Sequence, residues 1–165
     1  MLIKVDTNIK IRGTAEAIWE FASDPVNWTA SNPSEHYGLK FDSPDNRPAT
    51  GVTFWQKESI AGVMANLRGH FLVVDKPTLT VWRGVATYKL FFGLLRPRIP
   101  EGGVLKMEQE GNDVKLSHNV YMDFPDTWFG KLMLYIFEHW MNGKDAVYNH
   151  TYRELEYFKK MIEQR

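Results

Sequence analysis

A chain of 165 residues with 20 basic and 20 acidic side chains lacks the basic excess that normally marks a nucleic-acid binder, so no nucleic-acid partner is expected. Cysteine is absent, which excludes disulfides, thiol nucleophiles and thiolate-bound zinc together. The length suits one domain, 1–165, and six Trp, seven Tyr and ten Phe raise the aromatic share to 14%, enough for a dense core or for the lining of a cavity.

The opening MLIKVDTNIKI alternates. Ile3, Val5, Thr7, Ile9 and Ile11 fall on one face and Lys4, Asp6, Asn8, Lys10 and Arg12 on the other, the period of a half-buried strand. No secretion-type apolar region appears, and the longest apolar runs, 132–137 and 90–95, are far too short to cross a bilayer; a cytoplasmic protein without stable membrane insertion is expected. Gly13-Thr14 breaks the alternation and opens a short helix, Ala15 to Ala22. Asp24-Pro25 starts a second helical turn around Trp28, closed by Asn32-Pro33.

From His36 to Phe124 the pattern is extended. The expected strands are Tyr37 to Asp42, Val52 to Ile60, Val63 to Asp75, Leu79 to Ala86, Val104 to Glu110 and Val114 to Phe124, with turn residues between them. Short connections require antiparallel pairing, because a parallel neighbour needs a crossover of a dozen residues or more. A long apolar-sided helix follows from Pro125 to Arg165, capped by Asp126 or Thr127, with Leu132, Ile136, Trp140, Val147, Leu155, Phe158 and Ile162 at helical spacing. Asn142-Gly143 marks a kink or a break into two segments.

The stretch GTAEAIWEFASDPVNW after the first strand, through Ala15, Glu16, Ile18, Trp19, Asp24, Pro25 and Trp28, resembles the opening of the START-like, Bet v 1-like proteins, the SRPBCC and polyketide cyclase/dehydrase group. LVVDKPTLTVWRG, through Val74, Pro77, Leu79, Trp82, Arg83 and Gly84, is similar to a hairpin of the same group, and VKLSHNVYM to its penultimate element before the last helix. The resemblance implies an α+β helix-grip fold: a curved seven-stranded antiparallel sheet, two short helices after the first strand, and a long C-terminal helix over a cavity. Members of the group bind hydrophobic small molecules, transfer lipids, cyclise polyketides or activate chaperones. The motifs mark the fold and not a reaction.

Alternation nominates the lining. In the last strand Val114, Leu116, His118, Val120, Met122 and Phe124 share the inner face; an inward histidine costs desolvation unless it is partnered or anchors a ligand. Leu105 and Met107 are expected inward with Gln109, and Val63, Ala65, Leu67, Phe71 and Val73 form the inner row of the long strand, with Arg68 and His70 outside. Gly69 admits two readings, a bend or a bulge. Parity leaves Trp82 and Arg83 as alternatives for the inner face, an inward Arg83 needing Glu58 or an anion as partner; Trp55 is ambiguous in the same way. Tyr135 and His139, one turn apart, reach toward the cavity from the helix. The expected ligand-binding set is therefore His118, Trp55, Trp82, Phe71, Met107, Met122, Tyr135 and His139, and the candidates for acid–base chemistry are His118, Glu58 and Arg83. The histidines at 36, 70, 118, 139 and 150 show no HExxH or paired-ligand spacing, so no metal and no cofactor is expected.

The segment ATYKLFFGLLRPRIPEGG is too apolar for an ordinary loop. It extends a hairpin, caps the cavity mouth, or makes transient surface contact through Phe91 and Phe92. Three functions follow: binding or transport of a hydrophobic small molecule, lipid or polyketide-like; a cyclase or dehydratase acting by proton transfer; and a chaperone-activator-like interaction module. His118 alone inside would favour binding. His118 close to Glu58 or Arg83 would favour catalysis.

Overall fold

The alternating N-terminus does form a strand, and its length is set by Gly13. The computed structural model describes residues 1–164, and in it β1 (Leu2–Arg12) is followed by α1 (Ala15–Ala22), capped by Thr14, and α2 (Pro25–Ser31), capped by Asp24. The expectation at Arg165 lies outside the described residues. Six strands follow: β2 (His36–Phe41), β3 (Thr53–Ile60), β4 (Val63–Asp75), β5 (Leu79–Tyr88), β6 (Arg98–Glu110) and β7 (Asp113–Asp123). All seven strands pair antiparallel in the order β1-β7-β6-β5-β4-β3-β2, so the first strand closes against the last.

Two strands run longer than expected. β6 begins at Arg98, not Val104, and β5 reaches Tyr88, so the β5–β6 hairpin extends to a tip at Phe91–Gly93. Pro100 and the Gly102-Gly103 pair read as turn signals in the sequence, but here they lie within the strand. The glycines make room for rings: a Cβ on Gly102 would stand 2.2 Å from the Tyr121 hydroxyl, and one on Gly103 would stand 2.6 Å from the Trp82 indole nitrogen. In β4 the bulge falls between Phe71 and Val73 rather than at Gly69. That extra residue reverses parity, so Val73 is exposed instead of inward and Val74 takes its place against the core.

The C-terminal stretch is two helices. α3 (Trp128–His139), capped by Thr127, ends before α4 (Gly143–Glu163), and Asn142 between them adopts a left-handed conformation with φ 48°. α3 adds Phe137, buried beside Ile60 and Phe124, and α4 makes the main grip on the sheet. Its Leu155 and Phe158 are fully buried with Ile11, Ile18, Val114 and Leu116, whereas Leu132 and Trp140, expected on the same stripe, are exposed on α3. At the break α4 leaves the direction of α3, so the periodicity of the sequence no longer maps to one face.

Because Leu155 of α4 is fully buried and Leu132 of α3 is exposed, Leu155→Ala should cost about 3 kcal/mol in urea unfolding, the usual penalty for a fully buried leucine, and Leu132→Ala less than about 1 kcal/mol. Equal costs would contradict the assignment.

Candidate functional site

The curl of the sheet is set by which residues face inward. On β3 Phe54, Gln56, Glu58 and Ile60 share the inner face, on β5 Thr80, Trp82, Gly84, Ala86 and Tyr88, and on β7 His118, Val120 and Met122. Between this surface and α4 lies a cavity of about 120 Å³. Its apolar wall includes Trp19, Trp28, Phe41, Phe71 and Trp82, and its polar wall Glu58, Glu101, His118, His150 and Glu154. A smaller cavity of about 60 Å³ lies beneath α3 between Ile60, Tyr88, Phe124 and Phe137.

The polar wall is one connected cluster. Glu154, on the buried face of α4, accepts a hydrogen bond on Oε2 from His118 Nδ1 at 3.1 Å. Its Oε1 stands 3.2 Å from His36 Nε2 and 3.5 Å from His150 Nε2. Glu58 Oε2 is 3.5 Å from His150 Nε2 and 3.8 Å from His36 Nε2, and receives the Gln56 amide at 2.7 Å. Outer partners orient the imidazoles: His36 Nδ1 donates to the Trp28 carbonyl at 2.6 Å and His150 Nδ1 to Glu35 at 2.8 Å, with Asn32 beside it.

Charge follows from this geometry. Burial acts to raise the Glu154 pKa, but hydrogen bonds from His118, His150 and His36 outweigh it and hold the carboxyl well below the usual range. Burial acts to lower the pKa of His150, but the carboxylates of Glu154, Glu35 and Glu58 raise it well above the ordinary histidine value; Glu154 raises His36 against the same burial. Glu101 behaves in the opposite way. Burial pushes its carboxyl up to about 8, the Tyr88 hydroxyl that donates to it pulls the other way, and the charge of Glu58 adds to the rise.

His118 therefore does line the cavity, and its Nε2 has no hydrogen-bond partner among the described residues. Phe71, Trp82, Met122 and Glu58 line it too. Others of the expected set do not. Arg83 is exposed on the outer face opposite His70, because Thr80 and Trp82 point inward and β5 carries no bulge. Trp55 lies on the outer face of β3, next to Gly38, since Phe54 and Gln56 occupy the inner one. Met107 is buried in core packing under α1 and α4 rather than at the cavity. Gln109 clamps the turn backbones of Gly13, Ala15 and Gly111. Tyr135 and His139 are exposed on α3, their rings packed against each other at a tilt of 49°.

His36, His150 and Glu154 were not singled out from the sequence, although two signals were present. His150 and Glu154 are spaced i, i+4 on one helix face, and His36 stands directly opposite Glu58 in the β2–β3 register. Ser23 Oγ, buried at the cavity wall, has no partner within the described residues.

A curved antiparallel sheet holding a C-terminal helix across a cavity is the helix-grip arrangement, and the chain has the fold of the START and Bet v 1-like proteins. The Zhui aromatase/cyclase from Streptomyces sp. R1128 superposes with a TM-score of 0.71 at 11% identity, covering 100% of this chain and 96% of that one. A START superfamily protein from Mycobacterium smegmatis gives 0.62 at 13% identity over 98% and 97% of the two chains, and Ara h 8.0201 gives 0.64 at 7% identity over 100% of both. No protein-family model and no curated protein matches the sequence. Among the described residues no helix is long and apolar enough to cross a membrane.

Glu101 has a measurable consequence. Its folded-state pKa, about 8, lies above the ordinary 4.5, so its contribution to stability is present below that ordinary value and is lost as pH rises through about 8. Relative to Glu101→Gln, which keeps an acceptor for Tyr88, the wild-type protein should lose stability steadily between about pH 5 and pH 8 in denaturant titrations. A difference independent of pH would refute the assignment.

Proposed function

We propose that the protein binds a small, largely apolar molecule in the cavity between the sheet and α4, with a polar group of that molecule directed at His118. The observation that carries this is a cavity with aromatic walls on one side and, on the other, hydrogen-bonding atoms without partners among the described residues, His118 Nε2 and Ser23 Oγ. Its volume of about 120 Å³ limits the guest. An apolar cavity of about 150 Å³ accommodates benzene, so a guest of about one ring fits without the sheet opening, and a long acyl chain does not. The Zhui aromatase/cyclase and the START superfamily protein share the fold that encloses this cavity.

A second reading has its own support. His118 is oriented by a buried carboxylate, Glu154, which through His36 and His150 lies in one cluster with Glu58, so a base and several proton-carrying groups converge on the cavity. That arrangement suits proton transfer at an enolisable carbon, the step on which cyclisation and dehydration depend.

Titration with phenol, followed by calorimetry, should give saturable binding, and Val120→Phe, which fills the cavity from β7, should weaken it at least tenfold while leaving the far-ultraviolet circular dichroism unchanged. No saturable binding, or equal binding by the filled variant, would remove the cavity reading. For the second reading, incubation of phenylacetone in deuterium oxide should show protein-dependent deuterium uptake that His118→Ala abolishes; uptake at the buffer rate leaves binding as the function.

A further inference from the structure

Three donor atoms in the polar cluster surround one point. His36 Nε2 and His150 Nε2 are 3.0 Å apart and lie 3.2 and 3.5 Å, respectively, from Glu154 Oε1. An ion bound tetrahedrally through nitrogen and oxygen at about 2.0 to 2.1 Å has donor-to-donor edges of about 3.3 to 3.4 Å, within this range. Glu58 Oε2 stands beside the two imidazoles, 3.8 Å from His36 and 3.5 Å from His150. We propose that His36, His150 and Glu154 form a binding site for a divalent first-row cation, zinc above all, at the wall of the cavity, with Glu58 next to the open fourth position.

The protonation pattern supports this independently of the distances. The partner of His36 Nδ1 is a backbone carbonyl, which only accepts, and that of His150 Nδ1 is the Glu35 carboxylate; both rings therefore carry a proton on Nδ1. With both Nδ1 protons committed outward, the two Nε2 atoms converge to 3.0 Å beside Glu154. In the metal-free protein protons on Nε2 serve the carboxylate there; a metal ion takes their place and satisfies both rings and Glu154 at once. The surroundings have the form that such sites take: each ligating histidine donates its other nitrogen to a carbonyl or a carboxylate, and each carboxylate is itself hydrogen-bonded, Glu154 by His118 and Glu58 by Gln56.

Charge also balances. Two neutral imidazoles and two carboxylates neutralise a dication, while Arg153, 3.8 Å from Glu35, faces the third carboxylate. Thiolates are absent from the chain, and two imidazoles with two carboxylates favour zinc over softer ions. His36, His150, Glu154 and Glu58 are all buried, with side chains between 2% and 6% exposed, so the ion would be shielded from bulk water. Glu58 lines the cavity beside the three ligands, so the fourth position is open to its carboxylate or to an oxygen of a bound molecule. The metal site stands whether or not the cavity takes an organic guest.

The test uses the full chain, stripped with a chelator and titrated with zinc by calorimetry and with cobalt by visible absorption. One equivalent should bind with sub-micromolar affinity, and cobalt should show the strong visible bands of four-coordinate geometry. His150→Gln and Glu154→Gln should each weaken zinc at least a hundredfold, Glu58→Gln about tenfold, and the exposed-site variants His70→Gln and His139→Gln not at all. Should the buried variants fail to fold, the wild-type melting temperature carries the test: zinc should raise it by several degrees, magnesium should not. Affinity weaker than millimolar, weak octahedral-type cobalt spectra, or binding that survives both His150→Gln and Glu154→Gln would overturn the site. Repeating the phenol titration on zinc-free protein separates the two proposals, since either can fail while the other holds.

Discussion

One carboxylate in the middle of the last helix constrains the rest. Glu154 is 2% exposed, and a buried charge of that kind persists only when it is paired and hydrogen-bonded. Its partners come from β7 through His118, from β2 through His36 and from α4 itself through His150. Removing one side of such an arrangement typically costs about 3 to 5 kcal/mol, comparable with much of the stability of a domain this size. The cluster thus ties α4 to both halves of the sheet, and it fixes the rotation of the helix about its own axis. Leu155 and Phe158 then face the core formed by β1, β7 and α1, while Val147 and Thr151 face the cavity.

The cavity exists because the two sides of the grip are filled differently. Near Ile11, Ile18 and Phe158 the side chains pack to completion, with edge-on rings such as Phe21 against Phe158 at 5.2 Å. Farther along, the wall is made of large rings that cannot interdigitate with a polar cluster without stranding its hydrogen bonds. Phe54, Phe71 and Trp82 lie against one another there, and the space between them and Glu154 is left open. Hydrophobic packing and the satisfaction of buried charge therefore compete for one volume, and the cavity is where neither fills it.

Much of this architecture was legible in the sequence. Alternation placed β1 and β7 and the inward turn of His118, because a period of two leaves no other face for Ile3, Val5 and Met122. The ends of β5 and β6 were not, since Pro100 and Gly102-Gly103 carry turn chemistry that the wide rings of Trp82 and Tyr121 override. Val73 was misplaced by a bulge that alternation has no means to detect. The helix stripe failed at Trp140 for a similar reason: periodicity continues across Asn142, but the chain direction does not. Of the site, His118 and Phe71 were found by facing alone; Trp82 was one of two alternatives, and Glu58 was named only as the partner of an inward Arg83, which is exposed. His36 and His150 were not found, because their meeting joins positions 114 residues apart and depends on how α4 crosses β2.

The left-handed residue at Asn142 also separates two hydrogen-bond ladders. The last helical hydrogen bonds of α3 end at Ile136, received from Trp140 and Met141, and those of α4 begin at the Asn142 carbonyl. No helical hydrogen bond among the described residues runs across the elbow, and the two helices meet there instead through the Phe137 ring lying against Gly143. The orientation of His150 and Glu154 is thus set by the ladder that starts afresh at Asn142 and not by a continuation of α3.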